Sequence, residues 1–286
     1  MTEKNKLTMK NDVIFKAFFS KKGNEKYLES FLKEIIGEEV KIKRITHDAR
    51  LEQLEKEQKY GILDLDVELE DGKLINIEMQ IRNNKNIEKR TTYYGSKKLI
   101  SQMGIGRQYK EINKVIVIAL LGYNLLNVPE YINKTITVLE GHRNYEINNE
   151  IEYYYIELDK FRKGNPDMSK PINQWLAFID MEKGEWLEMA KKENKEIKDA
   201  VEEYETLTGN ALVKRLAEVR MLGEMEEQAA LSAATDEGME KGIIKGQKQT
   251  RIETAKKLLK LKMPIEQIVE VTELTKEEIL KLKAKQ

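Results

Sequence analysis

The chain has 286 residues, of which 35% are charged and 40% hydrophobic, a composition typical of a soluble folded protein. Its 50 basic and 50 acidic residues cancel, so any surface that binds nucleic acid must be a local one. With no cysteine, 2 histidines, no long apolar run and a polar N-terminus, zinc centres, cysteine nucleophiles and membrane spans are excluded, and we expect a cytoplasmic protein.

Two amphipathic helices are predicted at the start of the chain. Asn11 or Asp12 is suited to cap the first, because phenylalanines follow at helical spacing. The second is predicted over 25–36, with Gly37 as its stop. A strand follows over 40–46, and the polar stretch 51–58 after it is either an edge strand or a surface loop.

A β-hairpin is predicted over 59–81. Apolar and acidic residues alternate over 62–69, residues 70–72 form a turn, and 74–81 makes the return strand. Because strand side chains alternate between faces, each strand collects its polar side chains on one face. These side chains are Asp64, Asp66 and Glu68 on the first strand and Asn76, Glu78 and Gln80 on the second.

Two carboxylates of this hairpin form a candidate metal site. Asp64 and Glu78 lie on neighbouring antiparallel strands, where they can come close enough to bind one hard divalent cation through oxygen atoms. The alternative is a solvated polar face, as many antiparallel hairpins have. Asp66 and Glu68 are interpreted as solvated edge residues rather than ligands.

After the hairpin, a helix is predicted over 87–103 and a buried strand over 115–121. Arg90 and Tyr94 lie one helical turn apart, so both can face the hairpin, where Arg90 could hold a phosphate. Alternatively, Tyr94 only covers the sheet. The unbroken apolar run of the strand is typical of a central parallel strand. Further strands are predicted over 132–139 and 151–158.

Four sequence blocks, in this order, carry a resemblance to a known family. They are Asn11–Lys16, Gly61–Asp64, Asn76–Gln80 and Arg90–Tyr94. They resemble the bacterial Rpn family, the recombination-promoting nucleases of the PD-(D/E)xK superfamily that are also described as transposases. The resemblance implies an α/β fold with a restriction-endonuclease-like αβββαβ core and an α-helical C-terminal region. It also implies a metal-dependent DNA endonuclease of mobile-element or recombination type.

The resemblance assigns roles to individual residues. Asp64, Glu78 and Gln80 take the catalytic positions, and Asp64 and Glu78 hold Mg2+, or alternatively Mn2+ or Ca2+. Gln80 stands where the superfamily usually has lysine, so the positive charge of that lysine is missing. Asp12 either completes the metal site or only caps the first helix. The side chains expected to bind DNA are Arg90, Tyr94 and Lys97, with Lys98 as an alternative to Lys97 for the missing charge.

The C-terminal part is predicted to be helical. The composition changes near residue 163, which predicts a nuclease-like domain over 1–163, a helical region packed on it over 164–236, and a tail over 237–286. Glycines at every fourth position, Gly238, Gly242 and Gly246, indicate either close helix packing or a hinge. The tail is expected to form a homodimer; the alternative is a helix-turn-helix-like unit that binds DNA.

Two other functional classes stay open at this point. The chain could be a catalytically silent nuclease-fold protein that acts as a nucleic-acid or protein interaction module. A structural helical assembly protein would account for the tail but not for the acidic hairpin.

Overall fold

The computed structural model describes residues 7–46 and 65–284. The chain divides into two compact units, the first ending at Met221 and the second beginning at Leu222. The sequence places its boundaries elsewhere, after residues 163 and 236, and that three-part division stays a prediction. Asp64 and the stretch 51–58 lie outside the described residues. Within the described ranges, no helix is both long and apolar enough to cross a membrane.

The first unit contains the sheet and most of the helices. Its strands are β1 Ile42–Thr46, β2 Leu65–Leu69, β3 Leu74–Gln80, β4 Val115–Leu121, β5 Ile132–Thr135, β6 Val138–Leu139, β7 His142–Glu146 and β8 Ile151–Glu157. Its complete helices are α1 Asp12–Phe19, α2 Glu25–Ile36, α3 Ile87–Ser101, α4 Leu158–Lys163, α5 Pro171–Asp180, α6 Gly184–Glu193 and α7 Lys195–Thr208, with a short 3-10 turn at Tyr109–Glu111. Helix α8, Ala211–Lys260, begins in this unit, and α9 Ile265–Thr272 and α10 Lys276–Lys283 follow it.

Both N-terminal helices form as the sequence predicts. The Asn11 side chain accepts hydrogen bonds from the backbone N–H groups of Val13 and Ile14, so Asn11 is the cap of α1 and Asp12 is its first residue. Gly37 ends α2 in the left-handed region, at φ 83°, where a residue with a Cβ would be strained.

The main sheet has six strands in the order β1-β2-β3-β4-β8-β5. Strands β3, β4 and β8 run parallel, and the other neighbours pair antiparallel. Strand β4 is buried along its whole length, which confirms the predicted central strand. From α1 to β4 the element order contains the expected αβββαβ core, preceded by one additional helix.

The predicted strand over 132–139 is wrong in its second half. Strand β5 ends at Thr135, and Val138–Leu139 instead pairs with His142–Glu146 in a separate two-stranded sheet. Strand β7 was not predicted because its residues are all exposed and carry no apolar alternation.

The two faces of the main sheet are covered by different helices. One face carries Ile75 and Ile77 of β3 into the main core, which α1, α2, α5 and α7 share. Helix α3 covers the other face so closely that a Cβ on Gly95 would lie 2.9 Å from the Ile151 side chain. Each fully buried aliphatic side chain stabilises such a core by about 1.5–3 kcal/mol.

The second unit has a small core of its own. Four residues are buried together there: Ala255 of α8, Ile268 of α9, Leu274 between α9 and α10, and Ile279 of α10. A capping box formed by Thr275 and Glu278 starts α10, as the sequence indicates. The glycine stripe lies within the 50-residue helix α8. Apart from the adjacent residues and the nearby backbone of the helix itself, no described atom lies within 4 Å of a Cβ built on Gly238, Gly242 or Gly246.

Candidate functional site

The face of the sheet beneath α3 carries buried polar side chains. On β3, Asn76 and Glu78 are each 2% exposed and Gln80 is 8% exposed. They are buried because β3 lies between β2 and β4 while α3 packs over the same face. Burying a carboxylate is costly unless a cation or hydrogen-bond donors compensate its charge. The solvated alternative therefore does not describe Glu78.

Arg90 compensates the charge of Glu78. Its Nη2 lies 2.6 Å from Glu78 Oε1, and its guanidinium lies over the Tyr94 ring, 5.6 Å from the ring centroid. Arg90 and Tyr94 therefore lie on the side of α3 that faces the sheet, as their spacing predicts. Removing one member of a fully buried ion pair typically costs about 3–5 kcal/mol, and this pair should cost less, because the Arg90 side chain is 33% exposed.

Asp66 and Lys98 form a second ion pair beside Asn76. Lys98 Nζ and Asn76 Nδ2 lie 2.7 and 2.8 Å from Asp66 Oδ1. Asp66 keeps partial exposure, but it is tied to the site and is not only a solvated edge residue. Lys97, the residue before Lys98 on α3, is exposed. The structure therefore brings Lys98 rather than Lys97 to the hairpin.

Gln80 lies where β3 ends. Its Nε2 donates to the backbone carbonyl of Arg82 at 3.1 Å, and its backbone carbonyl accepts from Gly122 N–H at 3.0 Å. Gln80 Oε1 is buried and has no hydrogen-bond partner within the described ranges.

Other buried polar atoms on this face also lack hydrogen-bond partners. Leaving such a group unsatisfied typically costs about 1–3 kcal/mol, so native proteins contain few of them. Several at one place are consistent with a ligand that supplies the missing hydrogen-bond partners. Within the described part of the chain they include Asn76 Oδ1, Gln80 Oε1, Arg90 Nε and the Tyr123 hydroxyl.

Sequence reasoning missed Tyr123 and Glu157. Burial, followed by the charge of Glu78, raises the pKa of Tyr123 to about 12. Glu157 is fully buried at the end of β8 and accepts hydrogen bonds from the backbone N–H groups of Leu125 and Leu126. The signal was present in the sequence, because ligands bind at the carboxyl ends of parallel strands, and Tyr123 and Glu157 both lie there.

Two of the predicted metal ligands are not brought to Glu78 by the described structure. Asp64 lies outside the described residues; the described pairing of β2 with β3 ends at Leu65 opposite Ile77. Asp12 Oδ2 lies 2.9 Å from Arg220 Nε, and Asp12 Oδ1 accepts from Val13 N–H at 2.8 Å. Its role as a metal ligand stays a prediction.

Carboxylates are therefore sparse at the described part of the site. Across 7–46 and 65–284, no group of three or more histidine or acidic side chains is placed to hold a metal ion. Glu78 and Gln80 supply oxygen atoms, and Arg90 and Lys98 supply positive charge. This arrangement can hold an anion or, with a further carboxylate, a hard cation.

Comparison with known proteins identifies the family. The family model described as PD-(D/E)XK nuclease family transposase matches residues 9–234, which is more than half of the chain. No curated protein and no solved structure matches the chain. The matched region contains both α1 and the whole site on β3 and α3. The chain therefore belongs to the PD-(D/E)XK nuclease family transposases.

Proposed function

We propose that the chain is a divalent-metal-dependent DNA endonuclease of mobile-element or recombination type, which hydrolyses phosphodiester bonds. The observation that carries the proposal is the Glu78 carboxylate, buried at the end of a parallel strand and only 2% exposed. A structural role alone does not require a carboxylate there, since an apolar residue would avoid the cost of burying its charge.

The side chains at this site carry oxygen atoms of the kind that bind a hard divalent cation. Glu78 and Gln80 offer a carboxylate and an amide oxygen, which are the ligand types that Mg2+ and Mn2+ prefer. Asp64 supplies the second carboxylate, as the family resemblance implies. A cation bound there lowers the pKa of a water molecule and neutralises charge on the phosphate.

Arg90 holds the substrate in this proposal. Its guanidinium compensates Glu78 at 2.6 Å. A phosphate is a strong acceptor for an arginine fork, so DNA can share Arg90 with Glu78. Lys98 Nζ, at 2.7 Å from Asp66 Oδ1, supplies a second positive charge beside Asn76 on the same strand as Glu78.

Plasmid cleavage tests this function. We expect the wild-type chain to nick or linearise supercoiled plasmid with Mg2+ or Mn2+, and Glu78→Gln to lose this activity while keeping the shape of the side chain. The matched control is Glu152→Gln, because Glu152 is also a buried strand carboxylate, 7% exposed, and pairs with Lys114 and Lys134. Equal cleavage by all three proteins would contradict the proposal.

The alternative is a nuclease-fold protein that binds nucleic acid without cutting it. It is favoured by Gln80, because an amide positions water or phosphate but carries no charge. On this alternative the wild-type chain binds DNA with a steep salt dependence and leaves the plasmid intact with every metal ion.

We also propose that the chain is a homodimer formed through α8. Its apolar side chains Leu231, Met239 and Ile243 are 65, 63 and 55% exposed. Acidic residues dominate this helix before Gly238, and basic residues dominate after Glu240. Two copies that pair antiparallel about a two-fold axis near Gly238 would bring opposite charges together. The rival is a tail that binds DNA through its lysines, which are Lys256, Lys257, Lys260 and Lys262.

Light scattering distinguishes the two roles of the tail. We expect Ile243→Asp to convert a dimer into a monomer, because a buried charge without a partner opposes association. Val271→Asp is the control, since Val271 is equally exposed in the second unit, at 61%, but lies on α9. A wild-type chain that is monomeric, or a variant that stays dimeric while losing DNA affinity, would contradict the proposed interface.

A further inference from the structure

The Tyr123 hydroxyl is a buried donor without an acceptor. Its oxygen is shielded from solvent and has no hydrogen-bond partner within the described ranges. The ring packs beside the small cluster of Ile87, Leu121 and Tyr155, beneath α3. A tyrosine placed only for packing could equally be a phenylalanine, which would avoid the cost of an unsatisfied hydroxyl.

The backbone around Tyr123 is fixed beside the end of β3. Gly122 donates its N–H to the Gln80 carbonyl, and a Cβ on Gly122 would lie 2.7 Å from the Ile81 carbonyl oxygen. Only glycine permits so close an approach, which ties the loop to the strand that carries Glu78.

The same loop is held from its other side by the end of β8. Glu157 accepts from the N–H groups of Leu125 and Leu126, and Lys160 Nζ donates to the Leu126 carbonyl at 2.7 Å. Lys160 also compensates the Glu157 carboxylate at 2.7 Å. Tyr123 is therefore held in place on both sides, as a side chain that orients a ligand should be.

The electrostatic surroundings keep Tyr123 in its protonated form. Burial and the negative charge of Glu78 raise its pKa to about 12, and the opposing effect of Arg90 is smaller. At neutral pH the hydroxyl is therefore a neutral hydrogen-bond donor and not a base.

A second donor near Tyr123 is also without an acceptor. Arg90 uses Nη2 for Glu78, but its Nε is buried and has no hydrogen-bond partner in the described part of the chain. Two fixed donors that both lack acceptors, and that lie close enough for Arg90 to influence the pKa of Tyr123, suit the oxygen atoms of an anion.

We propose that the Tyr123 hydroxyl donates a hydrogen bond to a phosphate oxygen of the DNA strand held at Arg90 and Glu78. This inference rests on the proposed function and adds to it a substrate-binding residue from the loop after the central strand. Arg90 Nε and Tyr123 then share one phosphate group as their common acceptor.

The test compares Tyr123→Phe with Tyr155→Phe. Each substitution removes one hydroxyl within the same cluster, but the Tyr155 hydroxyl is hydrogen-bonded to Thr91 Oγ1 at 3.1 Å. We expect Tyr155→Phe to lower the melting temperature, because it removes a hydrogen bond. Tyr123→Phe should leave the melting temperature unchanged or raise it, because it removes none.

DNA binding provides the second readout. A hydrogen bond to a charged group contributes enough for Tyr123→Phe to weaken binding about 10-fold or more. The probe is a short duplex oligonucleotide in Ca2+, followed by cleavage in Mg2+. Tyr155→Phe should change the affinity of the folded protein by less than about 2-fold, since its hydroxyl already has a partner within the protein.

The outcomes separate the two claims. A wild-type chain that neither binds nor cleaves DNA overturns the proposed function and this inference with it. Wild-type cleavage with unchanged affinity in Tyr123→Phe overturns the inference alone. A melting temperature of Tyr123→Phe that falls as far as that of Tyr155→Phe also overturns it, because the hydroxyl would then serve the fold.

Discussion

The two faces of strand β3 show how one strand serves both stability and function. Ile75 and Ile77 enter the main core, whereas the alternate residues Asn76, Glu78 and Gln80 are equally buried beneath α3. The first set has apolar neighbours throughout. In the second set, Asn76 and Gln80 each keep a side-chain oxygen without a hydrogen-bond partner among the described residues, which lowers stability. Proteins tolerate such a cost where the site needs free donors and acceptors for a ligand.

Substituting two adjacent residues of β3, one on each face, should give the largest effects on stability and on cleavage. We expect Ile77→Ala to lower the free energy of unfolding by about 2–5 kcal/mol, because Ile77 is 1% exposed in the main core. Its cleavage rate per folded molecule should stay close to that of wild type. Glu78→Gln should also lower stability through loss of the Arg90 ion pair, but it should in addition lower the cleavage rate per folded molecule on the order of 100-fold or more. Denaturant titration and plasmid cleavage measure the two effects, and a Glu78→Gln variant with full activity would remove the distinction between the faces.

Substitutions of Gln80 test whether a second polar side chain of β3 takes part in cleavage. If it positions water or phosphate, Gln80→Leu should lower cleavage about 10-fold, because the apolar side chain cannot supply an oxygen ligand or a hydrogen bond. Gln80→Lys should retain or raise the rate, since lysine restores the charge usual in the superfamily. Single-turnover cleavage at saturating DNA measures these rates, and equal rates in wild type and both variants would show that this position has no part in catalysis.

A smaller effect is expected from Glu152, at the opposite end of the parallel strands from Glu157. Burial raises the pKa of Glu152, but hydrogen bonds and charges of Lys114 and Lys134 outweigh burial and hold this pKa below its ordinary value. A carboxyl with a lowered pKa in the folded state stabilises the protein above its unfolded-state pKa and loses that contribution as the pH falls through the folded-state pKa.

The pH dependence of melting tests this point. The melting temperature of wild type should fall on acidification below the ordinary glutamate pKa, and Glu152→Gln should show a smaller fall. The comparison is Glu266→Gln. The pKa of the fully exposed Glu266 is also lowered, by a local backbone hydrogen bond and Lys276, but solvent screens these interactions, so this substitution should change the acid response less than Glu152→Gln does. An identical acid response of wild type and Glu152→Gln would contradict the stabilising role assigned to the Glu152 carboxylate.

The sequence predicts much of this fold because its signals are local and periodic. Asn11, Gly37 and the apolar run of β4 each mark an element correctly. The prediction of a strand over 132–139 was wrong in its second half, because chain reversal into β7 depends on turn geometry rather than on apolar periodicity. Arg90 could be placed facing the hairpin from helical spacing, since residues one turn apart share a face.

Contacts between distant parts of the chain could not be predicted in the same way. Tyr123 joins the site because a glycine allows close approach to β3, and Glu157 holds its loop from a strand more than thirty residues away. Asp12 pairs with Arg220 across 208 positions, a contact that no local pattern signals. The sequence also could not distinguish Lys97 from Lys98, because neighbouring helical positions both lie near the edge of the face.

Diffraction from crystals soaked in Mn2+ tests the central claim most directly, because Mn2+ gives an anomalous signal at its own position. We expect a peak bonded to a Glu78 oxygen at a distance of roughly 2.0–2.6 Å, with an Asp64 oxygen as a second ligand. The carboxylates of Asp64 and Glu78 should then lie within about 5 Å of each other. A peak elsewhere in the chain, or Asp64 and Glu78 on opposite faces of the sheet, would contradict the proposed metal-dependent nuclease.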